Sequence, residues 1–217
     1  MSIMRITAIE TQATNHERVN IFVDGQFLMG TSTLVVLQLR LAPGQELSPA
    51  QLEQLQAEAA LQQAFDRALN YLSFRPHSRQ EVRQYLRRKG DTPETINAVL
   101  ERLDGLKLVD DQAFATFWVD SRERFSPRGS HALKNELRMK GVDREVVDEM
   151  VSDEQDEERA LLAGRKKALT LLRLPGMDHN TFRTRLGSFL QRRGFGYATS
   201  TRTVRALWQE LQGESEP

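Results

Sequence analysis

The sequence contains no cysteine. That absence removes disulfide frameworks, thiolate nucleophiles and cysteine-ligated zinc together. Long hydrophobic runs are missing too. The longest aliphatic run is Leu34 to Leu37, far short of the roughly 20 residues a membrane helix requires, so no membrane span is expected. The chain does not begin with a basic stretch leading into an apolar one, so no secretory signal is expected and a cytoplasmic location is. Neither sign of charge dominates, with 30 Lys and Arg against 30 Asp and Glu. The four histidines, His16, His77, His131 and His179, are scattered without the spacing of metal partners, so neither a metal nor a cofactor is expected. There is no P-loop, no dinucleotide-binding glycine fingerprint and no GxSxG elbow. An enzyme is therefore not expected. What remains is 217 residues, 39% hydrophobic and 28% charged, an ordinary globular balance with room for one domain or two small ones.

The first forty-odd residues read as a small β-rich cap. Val19, Ile21 and Val23 alternate with polar neighbours, which is strand periodicity. Asp24-Gly25 follows as a favoured hairpin turn, and Arg5 to Gln12 and Gln26 to Met29 supply flanking strands. Ala42-Pro43-Gly44 breaks the chain. From Ser48 onward the reading is helical. Ser48 to Gln51 forms a capping box with Pro49 at the first helical position. A broad apolar stripe then runs from Leu52 to Leu72 with no breaker before Arg75-Pro76.

An internal repeat follows. Ser78 to Gly90 (SRQEVRQYLRRKG) aligns with Gly129 to Gly141 (GSHALKNELRMKG), and a third copy ends at Gly194. Each copy places apolar residues eight and four positions before the glycine: Val82 and Leu86, Leu133 and Leu137, Leu186 and Leu190. Glycine suits the left-handed position just past a helix end. Thr92, Asp143 and Ser200 are the candidate caps of the helices that follow. Counting from them gives matching apolar sets: Ile96, Val99 and Leu100; Val147, Met150 and Val151; Val204, Leu207 and Trp208. Helices over about 61–74, 111–124 and 156–172 precede the middle ones. The expected fold is mainly α, with three tandem three-helix repeats in an elongated, curved body carrying a β-rich N-terminal cap. The expected boundaries are 1–47 for the cap, 48–109 for a linking helix and repeat one, 110–155 for repeat two, 156–212 for repeat three, and a disordered tail over 213–217.

Overall neutrality hides a pattern. The first middle helix is crowded by Arg75, Arg79, Arg83, Arg87, Arg88 and Lys89; the second carries Arg128, Lys134, Arg138 and Lys140, with Arg122 and Arg124 before it. The third carries Arg183, Arg185, Arg192 and Arg193 with no acid between Thr181 and Gly194. Cations in a last helical turn complement the dipole at about 0.3–1 kcal/mol each. That accounts for Arg87, Arg88, Lys89, Lys140, Arg192 and Arg193 but not for Arg79, Arg83, Lys134 or Arg183, which lie earlier. A shared anion-binding face is the expectation, directed at nucleic-acid phosphate or an acidic protein groove. The acidic stretch Asp143 to Glu158 is either a solvated joint between repeats or an electrostatic contact, with a basic partner or with the protein's own basic face. Asp110-Asp111 sits where a helix should begin and is read as a cap. Phe114, Phe117 and Trp118, with Phe189 and Trp208, are read as core.

With these residues in place, the chain resembles the RecX family, bacterial regulators of the RecA recombinase. Tyr71-Leu72-Ser73, Arg75, Ser78, Glu81-Val82, Leu86 and Lys89-Gly90 carry the first signature. Leu108 to Asp111, Phe114-Ala115, Trp118-Val119, Arg122, Gly129, Leu133, Glu136-Leu137 and Lys140-Gly141 carry the second. Phe189-Leu190, Arg192 to Phe195 and Tyr197 carry the third. The likeness spans about 60–211, and the N-terminal segment resembles the extension of longer members. The resemblance implies a non-enzymatic regulator in DNA repair, recombination and the SOS response, expected as a monomer. It would lodge along the groove of RecA–DNA filaments and mostly inhibit ATP hydrolysis, strand exchange and coprotease action. Single- or double-stranded DNA is a further expected partner, through the filament or directly. The alternative is a sequence-independent DNA-binding module that acts without RecA. The chain departs from the simplest family pattern in two places: the linker from Gly194 to Ser200 is longer than the steps from Gly90 to Thr92 and from Gly141 to Asp143, and an isoelectric point of about 6.9 weakens free-DNA binding more than filament binding.

Overall fold

A computed structural model describes residues 4–213. Three antiparallel strands open the chain: β1 (Met4–Gln12), β2 (Asn15–Val23) and β3 (Gln26–Ser32). The β2–β3 turn places Asp24 at φ 49° and Gly25 at φ 79°, the left-handed pair that a two-residue hairpin needs. Two elements here escaped the sequence reading. The aliphatic run at Leu34 lies in a short helix, α1 (Thr33–Gln38), capped by the Ser32 hydroxyl. A two-residue strand, β4 (Glu46–Leu47), completes the sheet in the order β3-β2-β1-β4. Ile6, Ile21 and Val23 face inward and form one core with Val35, Leu47 and Leu55.

Leu55 belongs to α2 (Pro49–Leu72), opened by the expected capping box. Next come α3 (Arg79–Arg88) and α4 (Pro93–Gly105), the latter packed on α2. The second repeat is α5 (Asp111–Phe125), α6 (Ser130–Met139) and α7 (Arg144–Met150), closed around Phe114, Leu133, Leu137 and Val147. The third is α8 (Asp156–Leu172), α9 (His179–Arg192) and α10 (Tyr197–Gly213), closed around Phe182, Leu186, Leu190 and Leu207. Gly90, Gly141 and Gly194 sit at φ 88°, 80° and 86°. In each case the next amide bonds back to the apolar residue four before the glycine: Asp91 to Leu86, Val142 to Leu137 and Phe195 to Leu190. This closure requires a left-handed residue at the helix end.

One cap is corrected. Ser200 does not open the last helix. It is buried inside α10, which begins at Tyr197. Helices α4, α7 and α10 each start three residues after their glycine, so the longer third linker disappears. The apolar count slipped by one helical turn, which preserves the face. In the corrected register, buried Ser200 and Thr203 occupy the positions equivalent to Ile96 and Val99, and the expected Val204 and Leu207 are buried as well. The expected tail lies outside the described residues from 214 onward.

The chain divides into two compact units. One holds residues up to 75 and 82–108; the other holds 76–81 and everything from 109. The boundary passes through α3, whose first turn belongs with the second unit.

Candidate functional site

Within the second unit, the start of one middle helix meets the end of the next. The Ser78 hydroxyl donates to the Lys140 carbonyl at 2.7 Å, and the Gly129 amide donates to the Arg193 carbonyl at 3.0 Å. Each junction also takes a carboxylate from the following repeat. Asp111, at the start of α5, accepts the Arg79 amide at 3.0 Å. Asp156, at the start of α8, accepts the Ser130 amide and hydroxyl, both at 2.8 Å. The Asp110-Asp111 pair therefore caps two helices, because Asp110 accepts the Gln112 and Ala113 amides of α5 itself. Burial pushes the Asp111 carboxyl up from its ordinary value; the Arg79 amide opposes this and neighbouring Asp143 adds to it.

These junctions, together with pairing inside the second repeat, consume much of the expected basic face. Lys140 pairs with Glu81 at 2.6 Å and lies over the Trp118 ring at 4.1 Å. Lys134 and Arg138 both reach Asp148, at 3.5 and 3.3 Å. Desolvation raises the Asp148 carboxyl, but the hydrogen bond from Arg144 and the charges of Lys134 and Arg138 together hold it below its ordinary value. Part of the acidic stretch thus neutralises α6. Arg128 stands 3.7 Å from Glu136. Arg193 donates to the Pro127 carbonyl and lies over the Phe189 ring; burial and the neighbouring Arg128 charge lower its pKa.

In the first unit, Arg83 donates to the Asn97 side chain at 2.8 Å. Arg75 is half-buried between α2 and α3. Arg87, Arg88 and Lys89 are exposed; they have no carboxylate partner among the described residues, and Lys89 sits 5.6 Å from the Tyr85 ring. Arg183, Arg185 and Arg192 are likewise exposed without such a partner. The fourteen expected residues are therefore not one continuous basic set. The last turn of α3 and the outer side of α9 carry uncommitted charge, while α6 is internally paired.

Trp118 is half-buried rather than fully buried; its indole N–H donates to Glu136 at 2.8 Å. Phe114 is fully buried, and Phe189 and Trp208 flank the third core. Sequence reasoning missed Phe74 and Phe125, which are 78% and 85% exposed. Both stand two residues before a proline and 51 residues apart, a recurrence that was visible in the repeat. Among the described residues, no group of three His, Asp or Glu side chains could hold a metal, and no helix is long and apolar enough to cross a membrane.

The fold defines a helical-repeat protein with a small N-terminal sheet. Three family domains match it. They are the regulatory protein RecX N-terminal domain over 4–48, the first RecX three-helix domain over 64–103 and the second over 110–151. The regulatory protein RecX of Bacillus subtilis is 31% identical over 211 residues, covering 97% of this chain and 80% of that protein. That of Prosthecochloris aestuarii is 39% identical over 155 residues, covering 71% of this chain and 97% of that protein. A crystal structure of a regulatory protein RecX superposes with a TM-score of 0.72 at 25% identity, covering 90% of this chain and 96% of that one. The chain belongs to the RecX family.

Proposed function

We propose that this protein is a non-enzymatic regulator that binds RecA–DNA filaments and mostly restrains their ATPase, strand-exchange and coprotease activities. The observation that carries the reading is the near full-length match to relatives named regulatory protein RecX. RecA as partner comes from the family resemblance. The uncommitted cations of α3 and α9 support it, because a groove containing nucleic-acid phosphate attracts basic helix ends. The proposal includes a monomer in the cytoplasm and the segment boundaries 1–47, 48–109, 110–155 and 156–212. The fourteen basic residues are proposed to contribute unequally, with Arg87, Arg88, Lys89, Arg183, Arg185 and Arg192 foremost. Linked modest contacts along a filament reinforce one another.

The test is ATP hydrolysis by the cognate RecA on single-stranded DNA, titrated with this protein, with excess duplex added once filaments have formed. Inhibition below one protein per RecA that survives the competitor is expected. No effect at stoichiometric amounts refutes the reading. Inhibition abolished by the duplex favours the second reading, a DNA-binding module acting without RecA, which the same six uncommitted cations support. That reading demands an affinity falling steeply with salt, by about 0.9 log units per log unit of salt for each duplex phosphate neutralised.

A further inference from the structure

Where the second repeat meets the third, two arginines stand together with too little acid. Arg193 donates from Nη1 to the Pro127 carbonyl at 3.1 Å and to the Ser126 hydroxyl at 3.4 Å. Its own carbonyl accepts the Gly129 amide. Arg193 thus grips the Ser126–Gly129 segment from both ends, and Arg128 lies within that segment. The carboxylate nearest Arg128, Glu136, is already claimed. It accepts Trp118 Nε1 and Arg122 Nε, each at 2.8 Å, on one oxygen. Its other oxygen stands 3.7 Å from Arg128 Nε, beyond hydrogen-bonding distance, and that N–H has no hydrogen-bond acceptor among the described residues. Arg122 and Arg128 therefore share one carboxylate, and Arg193 has no carboxylate within ion-pair distance among the described residues. The depressed pKa of Arg193, caused by burial and by Arg128, agrees with a site short of negative charge.

Immediately before this segment, Phe125 is 85% exposed at the end of α5. A phenylalanine left in water beside an unbalanced pair of guanidinium groups is neither core nor a solubilising residue. The same position in the first repeat is again an exposed phenylalanine, Phe74, followed by Arg75 and Pro76. The repeat thus places an exposed phenylalanine shortly before an arginine in sequence twice. An anionic backbone with flat, accessible bases matches both features, since phosphate answers the charge and a base face answers the ring. Duplex DNA offers the phosphate but keeps its base faces stacked.

We infer that Phe125, Arg128 and Arg193 form a seat for single-stranded nucleic acid, in which a backbone phosphate bridges the two guanidinium groups and a base stacks on Phe125. Phe74 plays the aromatic part in the first repeat. This inference rests on the reading of the protein as acting on DNA-bearing filaments, but it is tested without RecA. The probe is a fluorescein-labelled oligothymidine of about 20 nucleotides, compared by anisotropy with a duplex of equal length. The full-length protein is expected to bind the single strand. F125A should weaken that binding about tenfold through the lost stacking of one base, and should leave duplex binding unchanged. F125W should retain affinity, and F125L should lose it as F125A does. R128Q should weaken single-strand binding and reduce its salt slope by about 0.7, whereas R173Q, the same charge change at an exposed residue at the end of α8, should not. Circular dichroism confirms that each variant is folded.

Full affinity in F125A overturns the inference. So does affinity retained in F125L and lost in F125A, which marks an apolar pocket on a protein partner instead. Absence of single-strand binding by the parent protein also overturns it, while RecA inhibition, measured separately, decides the filament reading on its own.

Discussion

Asp156→Ala should destabilise the second unit more than Asp111→Ala, although the two aspartates occupy corresponding junctions. Asp156 is buried, with its side chain 7% exposed. It accepts a backbone amide and a hydroxyl from Ser130, which is itself buried. Removing a side-chain cap costs about 1 kcal/mol. Leaving the buried Ser130 hydroxyl without its charged acceptor adds about 1.5–3 kcal/mol. Arg159 is not orphaned by the change, because it keeps Glu123 at 2.7 Å and the Ser152 carbonyl at 3.3 Å. The 3–5 kcal/mol seen when one partner of a buried pair is deleted is therefore an upper bound, and relief of carboxylate desolvation lowers the total further. The sum is about 3 kcal/mol. Asp111 is half-buried and holds one amide at 3.0 Å. Its charged form is already disfavoured by burial, so its loss costs about 1 kcal/mol or less. Both tryptophans, Trp118 and Trp208, lie in the second unit, so their emission reports its unfolding. At about 2–4 °C per kcal/mol for a chain of this size, D156A should lower the transition by about 6–12 °C and D111A by no more than about 4 °C. Equal shifts would refute the argument that burial of the acceptor, rather than the presence of a carboxylate, holds the repeats together.

The repeat glycines should respond unequally to alanine. Gly90→Ala meets open space and carries only the left-handed backbone strain, about 1–2 kcal/mol. Gly194→Ala would set its Cβ 2.4 Å from that of Ala132, and Gly129→Ala would lie 2.3 Å from the Gly194 carbonyl oxygen; both should cost at least about 3 kcal/mol in thermal melts followed by circular dichroism. Asp111→Asn should change the pH profile. A raised folded pKa means that the native state binds its proton more tightly, so Asp111 favours folding at low pH and this contribution fades as pH rises through the window above 3.8. D111N should lack that component in denaturant midpoints measured across the window, and an identical profile for the two proteins would contradict the burial argument. Trp118→Ala should cost about 3 kcal/mol, at the low end because the ring is half-buried. Trp118→Phe should cost about 1–2 kcal/mol for the lost bond to Glu136, both measured by urea titration.

Much of the helical architecture was legible because it rests on local chemistry. The glycines after α3, α6 and α9 are forced by the turn that ends a helix. Val82 and Leu86, with their counterparts, mark a face by periodicity alone, and all six are fully buried. The misplacement at Ser200 has the same origin. A shift of one helical turn keeps the apolar face, so periodicity could not distinguish Tyr197 from Ser200 as the neighbourhood where α10 begins. Helix α1 was missed because six residues carry less than two turns of pattern. Strand β4 was missed because two residues carry no alternation. The basic residues were found, but their pairing was not. Whether Lys134 is free or held depends on Asp148, fourteen residues away and on another helix, and no local rule connects them. Phe74 and Phe125 were overlooked for the converse reason: aromatic residues near helix ends are presumed to be core until their exposure is known.

The zero net charge now has a structural meaning. Acids from the stretch Asp143 to Glu158 are spent inside the second and third repeats. Asp148 takes Lys134, Arg138 and Arg144; Asp156 takes the start of α6; and Glu157 pairs with Arg202 at 2.5 Å. Lys140 is spent on Glu81 at another junction. The basic charges of the central middle helix are therefore held to α7 within the second repeat, and Lys140, just past its end, is held to the first. Helices α3 and α9 keep cations without carboxylate partners among the described residues, so reversing Lys134 or Arg138 should cost the fold its pairing with Asp148, a small loss for surface pairs, whereas reversing Arg87 and Arg88, or Arg183 and Arg185, removes charge that the fold does not use. Where the acids fall thus decides which basic helices are paired inside the fold and which keep free charge, a distinction that the total of 30 against 30 conceals.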